Sequence, residues 1–288
     1  MTVALIVVLG HIATAILLGW GYFRRYSVTR PPIGVFNIWD IMVMMGGIIL
    51  VPYLYLLLPT WLVASLLALG ILSVLYFMWE PILRARWAIW LMVLLLVVAD
   101  IGATLWFGPA SSLFFAINNI VLVLAIVGIT NLWAQSGMKS RDVAILAGML
   151  AVYDLIVTWQ LTQTADLFSR LLGLPLVPII AWPLGTGGQW LGIGMGDMLL
   201  ATVFPLVMRK AFGRVAGVAS LVGNLSTIVA LITIMLLSRL QILFPVMILL
   251  GPLIILQYFY WRRRMGRERT TQQYLQAEPV AGRAATLG

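Results

Sequence analysis

Nine stretches of this chain are each apolar over about the 20 residues that a helix needs to cross the ~30 Å hydrocarbon core of a bilayer. They are Val3–Phe23, Val35–Leu58, Trp61–Met78, Trp87–Phe107, Leu113–Trp133, Val143–Leu161, Trp190–Met208, Val215–Leu237 and Ile242–Trp261. Only Leu58-Pro59-Thr60 separates the second from the third, so a very tight turn is expected there. Hydrophobic residues make up 62% of the chain and charged ones 9%, whereas a soluble domain runs near 45–50% and about 25%. That balance excludes an ordinary soluble enzyme, a disordered protein and a nucleic-acid binder, despite a net charge of +9. The expected fold is all-α: a polytopic membrane protein with nine transmembrane helices. The first stretch lacks a basic leader and an evident cleavage site, so it reads as a retained span.

The basic residues orient such a chain. With nine spans, one side holds Arg24, Arg25, Arg30, Arg84, Arg86, Lys139, Arg141, Arg209, Lys210, Arg214 and the six arginines after Trp261. The other side holds Arg170 and Arg239. Basic residues gather on the cytoplasmic side of membrane proteins, so the N-terminus is expected outside and the C-terminus in the cytoplasm, most simply of a prokaryotic cell. Residues 1–261 read as one membrane domain and 262–288 as a polar cytoplasmic tail. The longest connection, Thr162–Gln189, is itself apolar and rich in proline and glycine, and it is expected at the interface or in protein-lined space.

Charges inside spans cost about 2.5–3.5 kcal/mol each on insertion scales, so each needs a reason. Glu80, Asp142, Asp166, Glu268 and Glu278 fall in loops, at span ends or in the tail, and Asp40 near an interface. Asp100, Asp154 and Asp197 fall deep. Asp154 follows Arg141 and Asp197 precedes Arg209 by spacings that place both roughly 18–20 Å from the basic girdle, at 1.5 Å per residue. Their helices run antiparallel, so equal depth lets the carboxylates face one another. Gly192, Gly194 and Gly196 are expected to thin the second helix and permit close approach. Two adjacent carboxylates share a proton, leaving one acid and one base. Such a pair can activate water against a peptide carbonyl and protonate the developing oxyanion. No cofactor or metal is needed. There is no cysteine and only one histidine, His11, which excludes thiolate sites and a two-histidine zinc arrangement.

Tyr153-Asp154 and Gly194-Met195-Gly196-Asp197 resemble the YD and GxGD motifs of the presenilin and signal peptide peptidase family of intramembrane aspartyl proteases. Their order on the sixth and seventh of nine spans is similar too. The family's third motif, Pro-Ala-Leu at the start of the last span, is matched by Pro245-Val246-Met247, which keeps the proline and departs at the next two positions. The resemblance is best between about Asn118 and Pro252. It implies a presenilin-like fold with Asp154 and Asp197 catalytic. It also implies that Tyr153, Gly194, Met195, Gly196, Pro245, Val246 and Met247 support the site or bind substrate. The basic-residue split is similar to that of signal peptide peptidases. By resemblance the substrates are single-span membrane helices with the N-terminus inside, such as remnant signal peptides.

Two other readings stay open. Asp100 sits roughly 21 Å deep by the same helical rise, and a carboxylate layer with Asn118, Asn119 and Asn224 suits a proton- or cation-coupled transporter or channel. Gly194 to Ala201 also resembles the second motif of type IV prepilin peptidases, although Leu199 stands where that motif carries lysine. Among the remaining polar residues, His11 and Asp100 are expected to make interhelical hydrogen bonds. Trp61, Trp87, Trp90, Trp133 and Trp190 are expected to anchor span ends at the interface. A water-accessible cavity is expected along Gly192–Gly196, Tyr153 and Thr158.

Overall fold

A computed structural model of the chain describes residues 2–28, 36–109, 111–158, 170–185, 190–237 and 246–276. Among these, nine long helices follow the order of the nine apolar stretches. They are α1 (Thr2–Arg25), α2 (Ile38–Leu57), α3 (Thr60–Trp79), α4 (Arg86–Phe107), α5 (Ser112–Gln135), α6 (Ser140–Thr158), α7 (Met195–Phe212), α8 (Arg214–Leu237) and α9 (Met247–Met265), with a short α10 (Thr271–Gln276) after them. Six helices, α1 to α5 and α8, are long and apolar enough to cross a membrane. The protein is thus a multi-pass helical membrane protein. The other three carry more charge. Arg141, Asp142 and Asp154 lie in α6, Asp197, Arg209 and Lys210 in α7, and Arg262, Arg263 and Arg264 in α9.

The fold is not purely helical. Residues expected at the start of the seventh span instead form a strand, β2 (Trp190–Gly194), paired antiparallel with β1 (Ile179–Pro183). Helix begins only at Met195. Three glycines at alternate positions explain the change, since each costs about 1 kcal/mol in a helix interior. Gly192 fits the ladder because it lacks a side chain: a Cβ there would stand 2.8 Å from Ala181 Cβ and 2.9 Å from the Ile180 carbonyl oxygen. Trp190 accordingly pairs with Pro183 in the ladder.

α5 and α7 are buried over most of their surfaces and form the centre. A helix that is apolar all round belongs inside a bundle. Pro205 within α7 has no N–H to give the Ala201 carbonyl four residues earlier. Asn224 of α8 donates to that carbonyl instead, at 3.1 Å. The buried asparagines of α5 have a different task. Asn119 Nδ2 donates to the Ala181 carbonyl at 2.9 Å and its Oδ1 accepts from Ala181 N–H at 3.0 Å. Asn118 Nδ2 donates to the carbonyls of Val177 and Ile179. Asp100 of α4 accepts from Leu176 N–H at 2.7 Å. Asp100 therefore holds the backbone ahead of β1, where an interhelical bond was expected. His11 differs in the same way: its Nδ1 lies 2.7 Å from Val7 O in its own helix.

Asn119→Ala leaves a buried N–H and carbonyl of Ala181 without partners. It is expected to cost about 1–3 kcal/mol and to lower the unfolding midpoint in detergent, while Asn119→Asp retains only the acceptor half of the contact.

The basic ends of the helices lie together. Gln135 Nε2, at the end of α5, donates to the Tyr26 carbonyl just past α1, and Lys210 Nζ, near the end of α7, donates to the Ala134 carbonyl. Tyr22 donates to the Met78 carbonyl near the end of α3, and Phe36 N–H to the Ser136 carbonyl. At the opposite end Arg170 donates to the carbonyls of Leu56 and Leu58, two of the acceptors that the close of α2 leaves unpaired. Trp61 and Trp87 point outward, 68% and 72% exposed, as interfacial anchors do.

Candidate active site

Asp197 occupies the first turn of α7, directly after the strand, with Gly194 as the N-cap. Its Oδ2 folds back to within 3.5 Å of where a Gly194 Cβ would stand. A carboxylate in this first turn lies toward the positive end of the helix dipole. Met195 N–H donates to the Pro178 carbonyl at 2.9 Å and extends the ladder by one step. The GxGD residues thus span a strand-to-helix junction, which aims the carboxylate more firmly than a continuous helix of glycines would. Nothing lies within 4 Å of a Cβ built on Gly196, so space opens beside this turn.

Asp154 lies near the end of α6, and its Oδ2 accepts from Met247 N–H at 3.2 Å. Met247 is the first residue of α9, with Val246 as its N-cap. This carboxylate too sits at a helix N-terminus, one supplied by another helix. What brings α9 so close is a stripe of small residues. A Cβ on Gly251 would stand 2.7 Å from Ala151 Cβ and 2.8 Å from the Ala147 carbonyl oxygen. Gly251→Val is expected to push α9 off α6 and break the Met247–Asp154 contact. The unfolding midpoint in detergent should fall, and Gly251→Ala should lower it less.

The helices that carry the two carboxylates are neighbours. α6 packs against α7, and Asp154 lies near enough to act electrostatically on Asp197. Both side chains are half-buried. No family model, curated protein or solved structure matches this chain. The chemistry open to the site follows from its own residues.

Of the other residues singled out by sequence, Tyr153 is half-buried beside Asp154 and near Tyr53 of α2. Val246 and Met247 are buried at the start of α9. Pro245 lies outside the described residues, as do the side chain of Thr158 and most of the long connection ahead of Arg170. Among the described residues no cluster of three or more metal-ligating side chains occurs.

Sequence reasoning set Asn118, Asn119 and Asp100 in a candidate transport layer, whereas they hold the backbone of β1 and the residues just before it. Asn119 meets both outward backbone groups of Ala181, and Asn118 the outward carbonyl of Ile179. Antiparallel pairing alternates inward and outward groups, so α5 closes the outer edge of β1. The outer edge of β2 is different. Gly192 opposes Ala181, so its N–H and carbonyl point away from β1, and among the described residues neither finds a partner. A signal was present in the adjacent Asn118-Asn119 pair facing an apolar connection.

Proposed function

We propose that this protein is an intramembrane aspartyl protease that crosses the bilayer nine times and cuts peptide bonds within transmembrane helices. What supports the reading is that Asp154 and Asp197, on two packed helices, lie near enough to influence one another electrostatically, with Asp197 just past an open strand edge. A carboxylate pair that shares one proton has both halves of the chemistry. The ionised partner takes a proton from water as its oxygen attacks the carbonyl carbon. The protonated partner gives its proton to the carbonyl oxygen, forming a tetrahedral diol. Collapse of the diol re-forms the carbonyl, breaks the C–N bond and delivers a proton to the leaving amine. General acid–base assistance of this kind is worth about 10²–10⁴-fold in rate. The two carboxylates act as one titrating unit.

A helical substrate hides its carbonyls in its own hydrogen bonds and has to unwind before it can be cut. The outer edge of β2 offers Gly192 N–H and carbonyl to such an unwound segment, and the space beside Gly196 lies on the way to Asp197. Backbone pairing of this type reads no side chain in particular, which suits a protease of varied membrane helices. The transport reading draws less support. Asn118, Asn119 and Asn224 all donate to backbone carbonyls, and one oxygen of Asp100 is held by Leu176.

The gathering of basic helix ends supports an N-terminus outside and a cytoplasmic C-terminus, and with it substrates whose N-terminus is inside. Purified protein in lipid should cut a signal-peptide helix of that orientation within its apolar stretch, with products identified by mass, and an aspartyl-protease transition-state analogue should block it. Cleavage of opposite-orientation helices alone would overturn the substrate direction. An absence of cleavage of either kind would overturn the function.

A further inference from the structure

The segment after the last long helix does not trail away from the bundle. α9 runs to Met265, and the chain then turns back under the helices that carry the two aspartates. Glu268 Oε1 accepts from Ser140 N–H at 2.9 Å and from Ser140 Oγ at 2.8 Å. Ser140 is the first residue of α6, so this carboxylate satisfies an N–H that no helical carbonyl can reach and complements the helix dipole. Tyr274 N–H donates to the Thr270 carbonyl at 2.7 Å, and the short α10 places the Tyr274 side chain in the interior with no exposed surface. Its hydroxyl donates to the Val207 carbonyl of α7 at 2.8 Å. The Lys210 ammonium lies 4.5 Å from the Tyr274 ring centroid while donating to the end of α5. Burial, with Glu268 and Asp142 nearby, holds the Tyr274 hydroxyl well above the usual phenol range, so it stays a donor.

The other face of this segment is cationic. Arg262, Arg263, Arg264, Arg267 and Arg269 are all exposed, and the acid among them, Glu268, is turned inward to Ser140. Arginines this close in sequence repel one another, and a run of them directly after a membrane helix lies within reach of lipid headgroups. Anionic headgroups would relieve that repulsion; neutral ones would leave the segment held by Glu268 and Tyr274 alone.

We propose that Arg262–Gln276 is a clasp that binds anionic lipid headgroups through its outward arginines and, so seated, holds the start of α6 against the end of α7. Binding and closure stand apart from the proteolytic reading. Amide hydrogen exchange of residues 266–276 reads closure directly, with the full chain in bilayers of phosphatidylcholine alone or mixed with phosphatidylglycerol. Exchange is expected to slow at least fivefold in the anionic bilayer and to remain fast in phosphatidylcholine with soluble glycerol phosphate added. The Arg263→Gln/Arg267→Gln/Arg269→Gln variant should exchange alike in both bilayers, while Tyr274→Phe should exchange faster in each. Equal exchange of the wild type in the two bilayers would overturn the proposal, and so would slowing by the soluble phosphate. If exchange responds to lipid charge but no substrate is cut in any bilayer, the clasp stands and the protease reading falls. If cleavage occurs without any response to lipid charge, the reverse holds.

Discussion

Asp154→Asn and Asp197→Asn are each expected to lower cleavage of a transmembrane helix by roughly 10³–10⁴-fold, with the double variant scarcely worse than either single one. The non-additivity is the informative part. If the carboxylates divide one proton transfer cycle between them, removing either ends the cycle and nothing remains for the second substitution to remove. Two residues acting separately would give losses that multiply. Folding should survive, because asparagine keeps nearly the same shape and adds no charge. The Met247 N–H can still donate to the amide oxygen at position 154, so the α6–α9 contact persists. The measurement is the cleavage rate of the three variants beside their unfolding midpoints. Cleavage within tenfold of wild type by either single variant would sink the mechanism.

Much of the helical layout was legible because lipid allows few alternatives. A spanning segment has to satisfy its own backbone, so a long apolar run reads as helix, and the nine runs correspond to the nine long helices among the described residues. The tight turn at Pro59 was legible too: α2 ends at Leu57 and α3 starts at Thr60. The helical spacing of the two aspartates from basic residues was legible, because Arg141 and Asp154 share α6, and Asp197 and Arg209 share α7. Hydropathy could not reveal that Trp190–Gly194 is a strand. Apolar residues interleaved with glycine suit either a loose helix or a buried ladder, and the choice depends on Ala181 and Asn119, distant in sequence. Asp100 was misjudged for a related reason. Another helix was expected to partner it, but its partner is a backbone N–H in the long connection, and backbone partners carry no residue signature. The fold-back of the last segment hid behind its arginines, since polarity marked the tail without marking Tyr274 as its anchor.

Gly192→Val is expected to cut activity by about 10²-fold or more while the helices remain in place. A Cβ at this position meets Ala181 Cβ at 2.8 Å and the Ile180 carbonyl oxygen at 2.9 Å. The second of these is backbone, which cannot swing aside as a side-chain tip can. The ladder therefore has to open, at an overpacking cost of about 1–3 kcal/mol. That movement acts where Asp197 is aimed, because the strand runs directly into the turn that carries it. Gly196→Ala provides the contrast. Nothing lies within 4 Å of its Cβ, so folding should be unaffected, and any loss of activity would reflect crowding of substrate. Cleavage rates and unfolding midpoints of the two variants separate these effects: Gly192→Val should lose both, and Gly196→Ala activity at most. If Gly192→Val were as active as the parent, neither the ladder nor its open edge could be part of the catalytic machinery. The glycines of the motif would then matter only as spacers ahead of Asp197.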